Sequence, residues 1–575
     1  MPEDSGRRIN GELAAASTTR HVDLSIHREH DAEVEVESDE DDPNPSRGAP
    51  LRFRFSWRKL WRFSGPGWLM SLAYLDPGNL ESDLQQGACT GLSLVWVLWW
   101  ATVLGLILQE MSARLGIVTG RDLAQTIRRG YPRWLTYVIY VNMEIAVIGS
   151  DIQEVVGTGI AINLLSKQII PVWVGCLITA VDTLSFFAIQ YLGVRYLEGF
   201  ICVLISTMTI CFFINWSKSG GSDVVQLARG WGVPSVQPWA VTQAVATIGA
   251  VIMPHNLYLH SGLVLSRKVS RDKDQRVYDA IWYSRLESAG ALLASFFINL
   301  AIVAVNAKQF YNVECAQLAD GAKGCMSLEA YIRSEQNVSE TVPCNHDAPT
   351  PHVCGDFGLK SEGYALQQSL GDYTLYLWAL GLFAAGQAAT MVCTYSGQII
   401  MGGTLEIQLQ PWMRVAITRV FALGPALAIA ASTTTNQDLF NGAPLVAVAC
   451  PAAPLASRVR ARAEINEYLN VLQSIQLPFA MLPVLHFTSQ FEILGRFRSG
   501  IVMTAFSTLL AVLVIGVSMF LVIQYAAPST PLRVPRHALD RCPPSHASGS
   551  SKTSPTAPSR VWPCTASSIS PSVFG

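Results

Sequence analysis

Two short stretches carry residues whose types and spacing could hold a metal ion. LAYLDPGNLESD, residues 72–83, sets a carboxylate (Asp76) and an amide (Asn79) around a Pro-Gly pair inside an otherwise apolar run. GAVIMPHNLYLH, residues 249–260, sets Met253, His255 and Asn256 around Pro254 in a second such run. Proline has no amide proton and glycine no side chain, so both runs should unwind as helices at these points. Unwound backbone frees carbonyls, such as that of Ala250 one turn before Met253, which are costly facing lipid and useful facing a ligand. The set then offers carboxylate, amide and carbonyl oxygens with a thioether sulfur. Oxygens alone would suit Ca²⁺ or Mg²⁺, but sulfur is a poor partner for hard cations and tolerable for Mn²⁺, Fe²⁺, Co²⁺ or Cd²⁺. Plainer readings exist: Met253 as a gap-filler in a membrane core, and Asp76 as the cap of the half-helix that follows it. The position of Met253 beside a proline break, opposite an intramembrane carboxylate, favours ligation, and capping is compatible with it.

A third stretch, MEIAVIGSDIQEVVG (143–157), spaces Glu144, Asp151 and Glu154 seven and three residues apart. At about 100° per residue they share one stripe of a helix. Carboxylates at such depth face the bundle interior and serve proton relays; the alternative is a static ion ladder with Arg419. His255, with an unperturbed pKa of about 6.5, is a candidate proton carrier, or else a hydrogen-bonded core residue. His260, five residues on, ranks below it.

The elements that must position these residues are membrane helices. Of 575 residues, 50% are apolar or aromatic and 15% charged, a composition for a polytopic membrane protein rather than soluble domains. Runs of about 20 apolar residues suffice to span a bilayer, and eleven are expected, near 64–87, 91–113, 134–161, 169–190, 196–216, 239–265, 283–306, 372–402, 413–434, 467–491 and 499–524. Residues 1–62, with the acidic run DAEVEVESDEDD at 31–42, read as a disordered amino end. MPEDSGRRIN is followed by no apolar core, so no secretory signal peptide is expected and the first span serves as targeting signal. Basic clusters at 51–62, 113–133 and 266–285 fall on one side if the amino end is cytoplasmic. The opposite side then receives loop 307–371, with the sequon at Asn337 and Cys315, Cys325, Cys344 and Cys354. An oxidising, glycosylating compartment would process such a loop, and the four cysteines could pair in three ways. The breaks fall in spans one and six, the leading members of two successive sets of five (63–216 and 239–491). Paired interruptions of this kind point to a midplane site in an inverted-repeat transporter.

DPGN in span one, MPHN in span six and GQAATMVCTYSGQIIMGG (386–403) in span eight resemble the signatures of the natural resistance-associated macrophage protein (NRAMP) family of proton-coupled divalent metal transporters. The resemblance runs from about Gly65 to Tyr525, apart from 441–463. It implies an all-α, leucine-transporter-type fold of two inverted five-helix repeats with helices 1 and 6 broken. It further implies Asp76, Asn79, Met253 and the Ala250 carbonyl as metal ligands, with Asn470 of span ten approaching the ion and Gln473 a weaker candidate. The span-three carboxylates and Arg419 would form the proton route, with a proton entering through Asp76 or His255.

Three departures stand out. Gly402 occupies a position where many relatives carry an acid. Residues 441–463, rich in Ala, Pro and Arg, form an atypical insertion before span ten. No twelfth span follows 499–524, and the Pro- and Ser-rich residues 525–575 read as a disordered tail. The expected function is proton-coupled symport of Mn²⁺, Fe²⁺ and similar ions into the cytoplasm by alternating access. The expected setting is the plasma membrane or an acidic endosomal, lysosomal or vacuolar membrane. No cofactor and no nucleic-acid partner is expected, and no HExxH or comparable hydrolytic set marks an enzyme. The rivals are a cation-coupled amino-acid transporter on the same fold, for which an Asp at the break is unhelpful, and a non-transporting metal sensor or scaffold.

Overall fold

The computed structural model describes residues 51–181, 194–267, 269–318, 323–334, 342–344, 350–406, 413, 416–417, 419–427 and 465–526. The expected insertion 441–463, the acidic amino end, the tail from residue 527 and Asn337 lie outside them. Among the described residues eight helices are long and apolar enough to cross a membrane. The expected first span consists of two shorter helices, while spans four and nine fall only partly within the described residues, the fourth as Val172–Val181.

Span one comprises α1 (Pro66–Leu72) and α2 (Pro77–Thr90). It is followed by α3 (Val95–Thr119), α4 (Arg133–Leu165, span three) and α5 (Val194–Lys218, span five). Span six comprises α6 (Val241–Ile252) and α7 (Pro254–Leu263), and α8 (Asp274–Gln309) is span seven. The loop beyond α8 ends in α9 (Leu359–Leu370), and α10 (Tyr373–Leu405) is span eight. Span ten also divides, into α11 (Ile465–Gln476) and α12 (Pro478–Ser489), before α13 (Ile501–Ala526). The sequence reading took span ten as continuous. Pro478 has no amide proton for the helix ladder, so the ladder is interrupted at Leu477.

Local chemistry explains the first two breaks. Turns of Ala73, Tyr74 and Leu75 onto the carbonyls of Met70, Ser71 and Leu72 wind up α1. Pro77 then occupies the first turn of α2, and the Asp76 carboxylate caps it by accepting from the Asn79 amide at 3.1 Å. The Tyr74 carbonyl at the break finds a donor on α8, Asn299 at 2.9 Å, and Ser295 adds a second bond to Ser71 O at 3.1 Å. In span six the break falls on Met253, at φ 27° and ψ 113°. A positive φ is costly for an unbranched side chain with a Cβ and persists only where packing enforces it.

The loop between spans seven and eight carries a three-stranded antiparallel sheet, order β1-β3-β2, of Lys323–Ser327, His352–Asp356 and Val342–Cys344. Its register sets Cys325 opposite Cys354. The disulfides nevertheless link Cys315 to Cys354 and Cys325 to Cys344.

Candidate metal centre

The two breaks meet. Asn79 Nδ2 donates at 2.6 Å to Asp76 Oδ1 and at 3.0 Å to the carbonyl of Ala250, so the carboxylate of span one and the freed carbonyl of span six converge on one point. Asp76 and Met253 are each 1% exposed. Two acceptor oxygens there, Asp76 Oδ2 and Asn79 Oδ1, have no hydrogen-bond partner. The sequence reading offered Asn79 through its oxygen; here its NH₂ group bridges the two acceptors, and a half-turn of the amide exchanges the two atoms.

Two glycines allow this closeness. A Cβ on Gly78 would stand 2.8 Å from Gln153 Oε1, and one on Gly157 of α4 would stand 2.5 Å from Pro77 Cβ. Gln153 is central to the packing of span ten. Its Nε2 donates to Asn470 Oδ1 (2.9 Å) and Asn466 O (3.1 Å), and its Oε1 accepts from Gln473 Nε2 (3.0 Å). Asn470 Nδ2 donates to Gly78 O at 3.0 Å. Asn470 therefore reaches the span-one break, with its amide engaged by Gly78 and Gln153 rather than by Asp76. Gln473 lies one turn further along, bonded to Gln153.

Toward the disulfide loop, α2 and α6 are joined by polar contacts. Ser82 Oγ lies 3.1 Å from Thr247 Oγ1, Gln243 Nε2 donates to Ser82 O at 2.8 Å, and Thr247 donates to Gln86 Oε1 at 3.3 Å.

The titratable groups form a chain beside the breaks. His255 Nε2 lies 3.7 Å from Cys393 Sγ, which donates to Glu154 Oε1 at 2.6 Å. Glu154 Oε1 also accepts from Ser150 Oγ at 3.2 Å. One turn away, Asp151 forms a buried ion pair with Arg419, which also donates to Thr390 O at 3.3 Å. Glu144 is only half-buried, hydrogen-bonded to Tyr140 on its own helix, and stands outside this chain. Both ring nitrogens of His260 are buried without partners. Sequence reasoning missed Cys393, Gln153 and the Ser82–Thr247 contact. Cys393 stands in the quoted span-eight motif, and a thiol between His255 and Glu154 can pass a proton.

The family described as natural resistance-associated macrophage protein-like matches residues 67–334, 357–453 and 434–524. The chain belongs to this family. The second and third NRAMP matches overlap at 434–453, which takes in part of the expected insertion. Metal transporter Nramp4 of Arabidopsis thaliana is 39% identical over 477 residues, 82% of this chain and 81% of the relative. The metal transporter nramp1 homolog of Dictyostelium discoideum is 40% identical over 472 residues, 82% of this chain and 76% of the relative. Among solved structures, a manganese transporter of Eremococcus coleocola is similar with a TM-score of 0.64 at 25% identity, covering 84% of this chain and 91% of that one. The mostly helical NRAMP architecture, with spans one and six broken, is thus reached from the sequence signatures and from the fold alike; the all-α expectation is corrected by the small sheet of the disulfide loop.

Proposed function

We propose that this chain carries divalent transition-metal ions such as Mn²⁺ and Fe²⁺ across a membrane into the cytoplasm, coupled to protons, by alternating access. The observation that carries the reading is the convergence of Asp76 Oδ1 and the Ala250 carbonyl on one point between two proline breaks, with Met253 at the second break. The relatives bear the names of metal transporters, and the structural neighbour that of a manganese transporter.

A dication entering there takes the place of the Asn79 NH₂ between the two oxygens, and Asn79 turns its Oδ1 inward. Met253 adds its sulfur, which a hard cation gains little from, so selection against Ca²⁺ rests on that residue. Asn470 supports the span-one break through Gly78 and reaches the ion only if its bond to Gln153 opens. A proton enters through Asp76 or His255, and from His255 the path runs through Cys393 to Glu154, with the Asp151–Arg419 pair alongside. Both halves of spans one and six can tilt about their breaks because no continuous helix ladder resists the motion. In this reading 63–216 and 239–491 are the inverted repeats and the amino end is cytoplasmic. Loop 307–371, with Asn337 glycosylated, faces the exterior or the lumen of an acidic compartment.

The test is Mn²⁺ uptake into proteoliposomes with an acidic exterior. The parent chain is expected to carry Mn²⁺ with an inward proton current, Asp76→Ala to abolish uptake, and Met253→Ala to let Ca²⁺ compete. A parent chain that binds Mn²⁺ without moving it would sink the transport reading and leave a sensor.

A further inference from the structure

On the side of the molecule that carries the disulfide loop, α9 lies as a lid. Its first residue is held from α2, where Glu81 Oε2 accepts from the Leu359 amide at 2.9 Å, and Trp378 Nε1 of α10 donates to Leu359 O at 2.9 Å. One turn on, the lid sends Glu362 inward against the ends of two membrane helices. Asn306 stands three residues before the end of α8, and Asn215 three residues before the end of α5. The three side chains are 1%, 0% and 3% exposed and line a cavity of about 10 Å³ together with Phe212, Leu366 and Trp378.

Their hydrogen bonds are incomplete. Asn306 Nδ2 donates to Glu362 Oε1 at 3.0 Å and to Ile302 O at 3.1 Å, which fixes its amide and leaves Oδ1 without a partner. Glu362 Oε2 and both polar atoms of Asn215 are also unpartnered. Glu362 Oε2, Asn306 Oδ1 and the Asn215 amide are thus unpartnered polar groups on residues that line a space about large enough for one water-sized occupant. Among the described residues Glu362 has no ion-pair partner. The nearby lysines are engaged elsewhere, Lys308 on Gly221 O at 2.9 Å and Lys218 over the Tyr373 ring at 5.7 Å. The carboxyl ends of α5 and α8 add partial negative charge. Unpartnered buried acceptors are costly, and with the Asn215 amide turned oxygen-inward a cation can serve its Oδ1, Asn306 Oδ1 and Glu362 Oε2 together, where a water donates to only two of them.

We propose that Glu362, Asn306 and Asn215 form a monovalent cation site, sized for Na⁺, that fastens the lid helix α9 to the ends of α5 and α8. One carboxylate among three oxygens supplies too little negative charge for Ca²⁺. The site is separate from the breaks of spans one and six and does not depend on the reading proposed for them. Burial pushes the Glu362 carboxyl up to about 8, with the Asn306 hydrogen bond pulling the other way, so protons compete with the cation near neutrality.

The test uses the full chain in lipid nanodiscs at a pH above that value, following amide hydrogen exchange across 359–370 in Na⁺, Cs⁺ and N-methylglucamine chloride at equal ionic strength. Na⁺ at ten times its Kd should slow opening of the lid about tenfold relative to N-methylglucamine. Cs⁺ should leave it unchanged, and Glu362→Gln should remove the response. Equal exchange in Na⁺ and N-methylglucamine would overturn the proposal and leave a bound water as the occupant. Equal slowing by Cs⁺, or a response kept by Glu362→Gln, would overturn it as well. The comparison of cations on the parent chain stands even if the variant misfolds.

Discussion

Thr247→Val removes one hydroxyl from the contact that joins α2 to α6 between the candidate metal centre and the disulfide loop. The hydroxyl lies 3.1 Å from Ser82 Oγ and 3.3 Å from Gln86 Oε1, and its single proton serves either Gln86 or the Gln243 carbonyl at 2.9 Å. At most two interhelical bonds are lost. Buried bonds contribute about 0.5–1.5 kcal/mol each, with a mean near 0.6 inside membranes, so the closed arrangement should lose about 1–2 kcal/mol. That corresponds to an about 5- to 30-fold rise in the population open on this side. The probe is a cysteine at Ala250, one turn further along the same face of α6 and 0% exposed in this structure. Its labelling by a membrane-impermeant thiosulfonate, corrected for the chain lacking Ala250→Cys, should quicken by that factor in Thr247→Val. In Thr247→Ser, which keeps the hydroxyl, it should not change. An unaltered rate in Thr247→Val would mean that these bonds do not hold the path shut.

Gly78→Ala would put a methyl 2.8 Å from Gln153 Oε1. Overpacking of this kind costs about 1–3 kcal/mol, so thermal unfolding should come earlier and Mn²⁺ uptake fall, while Gly78→Ala combined with Gln153→Ala should cost less stability than the sum of the two single changes. Arg419→Leu strands Asp151 as an uncompensated buried charge, expected to cost about 3–5 kcal/mol; the pair Asp151→Asn with Arg419→Leu should melt well above the single variant. Cys393→Ala interrupts the path from His255 to Glu154, and Mn²⁺ should still bind, measured by calorimetry, while its pH-driven uptake slows. Opening the Cys325–Cys344 bridge, a separation of 19 residues, by Cys325→Ser with Cys344→Ser should cost about 3 kcal/mol of loop stability in the chain-entropy account, read as faster proteolysis of the loop.

What could be read from the sequence was governed by neighbours along the chain. Pro77 and Pro254 each remove one bond from the helix ladder wherever they are placed, because a missing amide proton is a local fact, although Pro483 shows that a proline can also sit inside a helix, in α12. Asp76 and Asn79, three residues apart, were bound to meet at the start of α2. The apolar runs determined most spans to within a few residues, although Pro478, which interrupts span ten by the same chemistry, was passed over. Only the tertiary structure decided contacts between distant segments. The seven- and three-residue spacing of Glu144, Asp151 and Glu154 suggested one relay, but Glu144 turns to Tyr140 while α10 brings Cys393 to Glu154 alone. Asn470 and Gln473 stood near the site in sequence logic, and it is Gln153, on another helix, that takes up both. The cysteine pairing followed the same rule: the strand order β1-β3-β2 and the turn of chain around Cys315 chose one of three connectivities. A missing amide proton follows from the sequence alone, whereas a hydrogen bond between residues hundreds of positions apart exists only once packing has brought the two helices together.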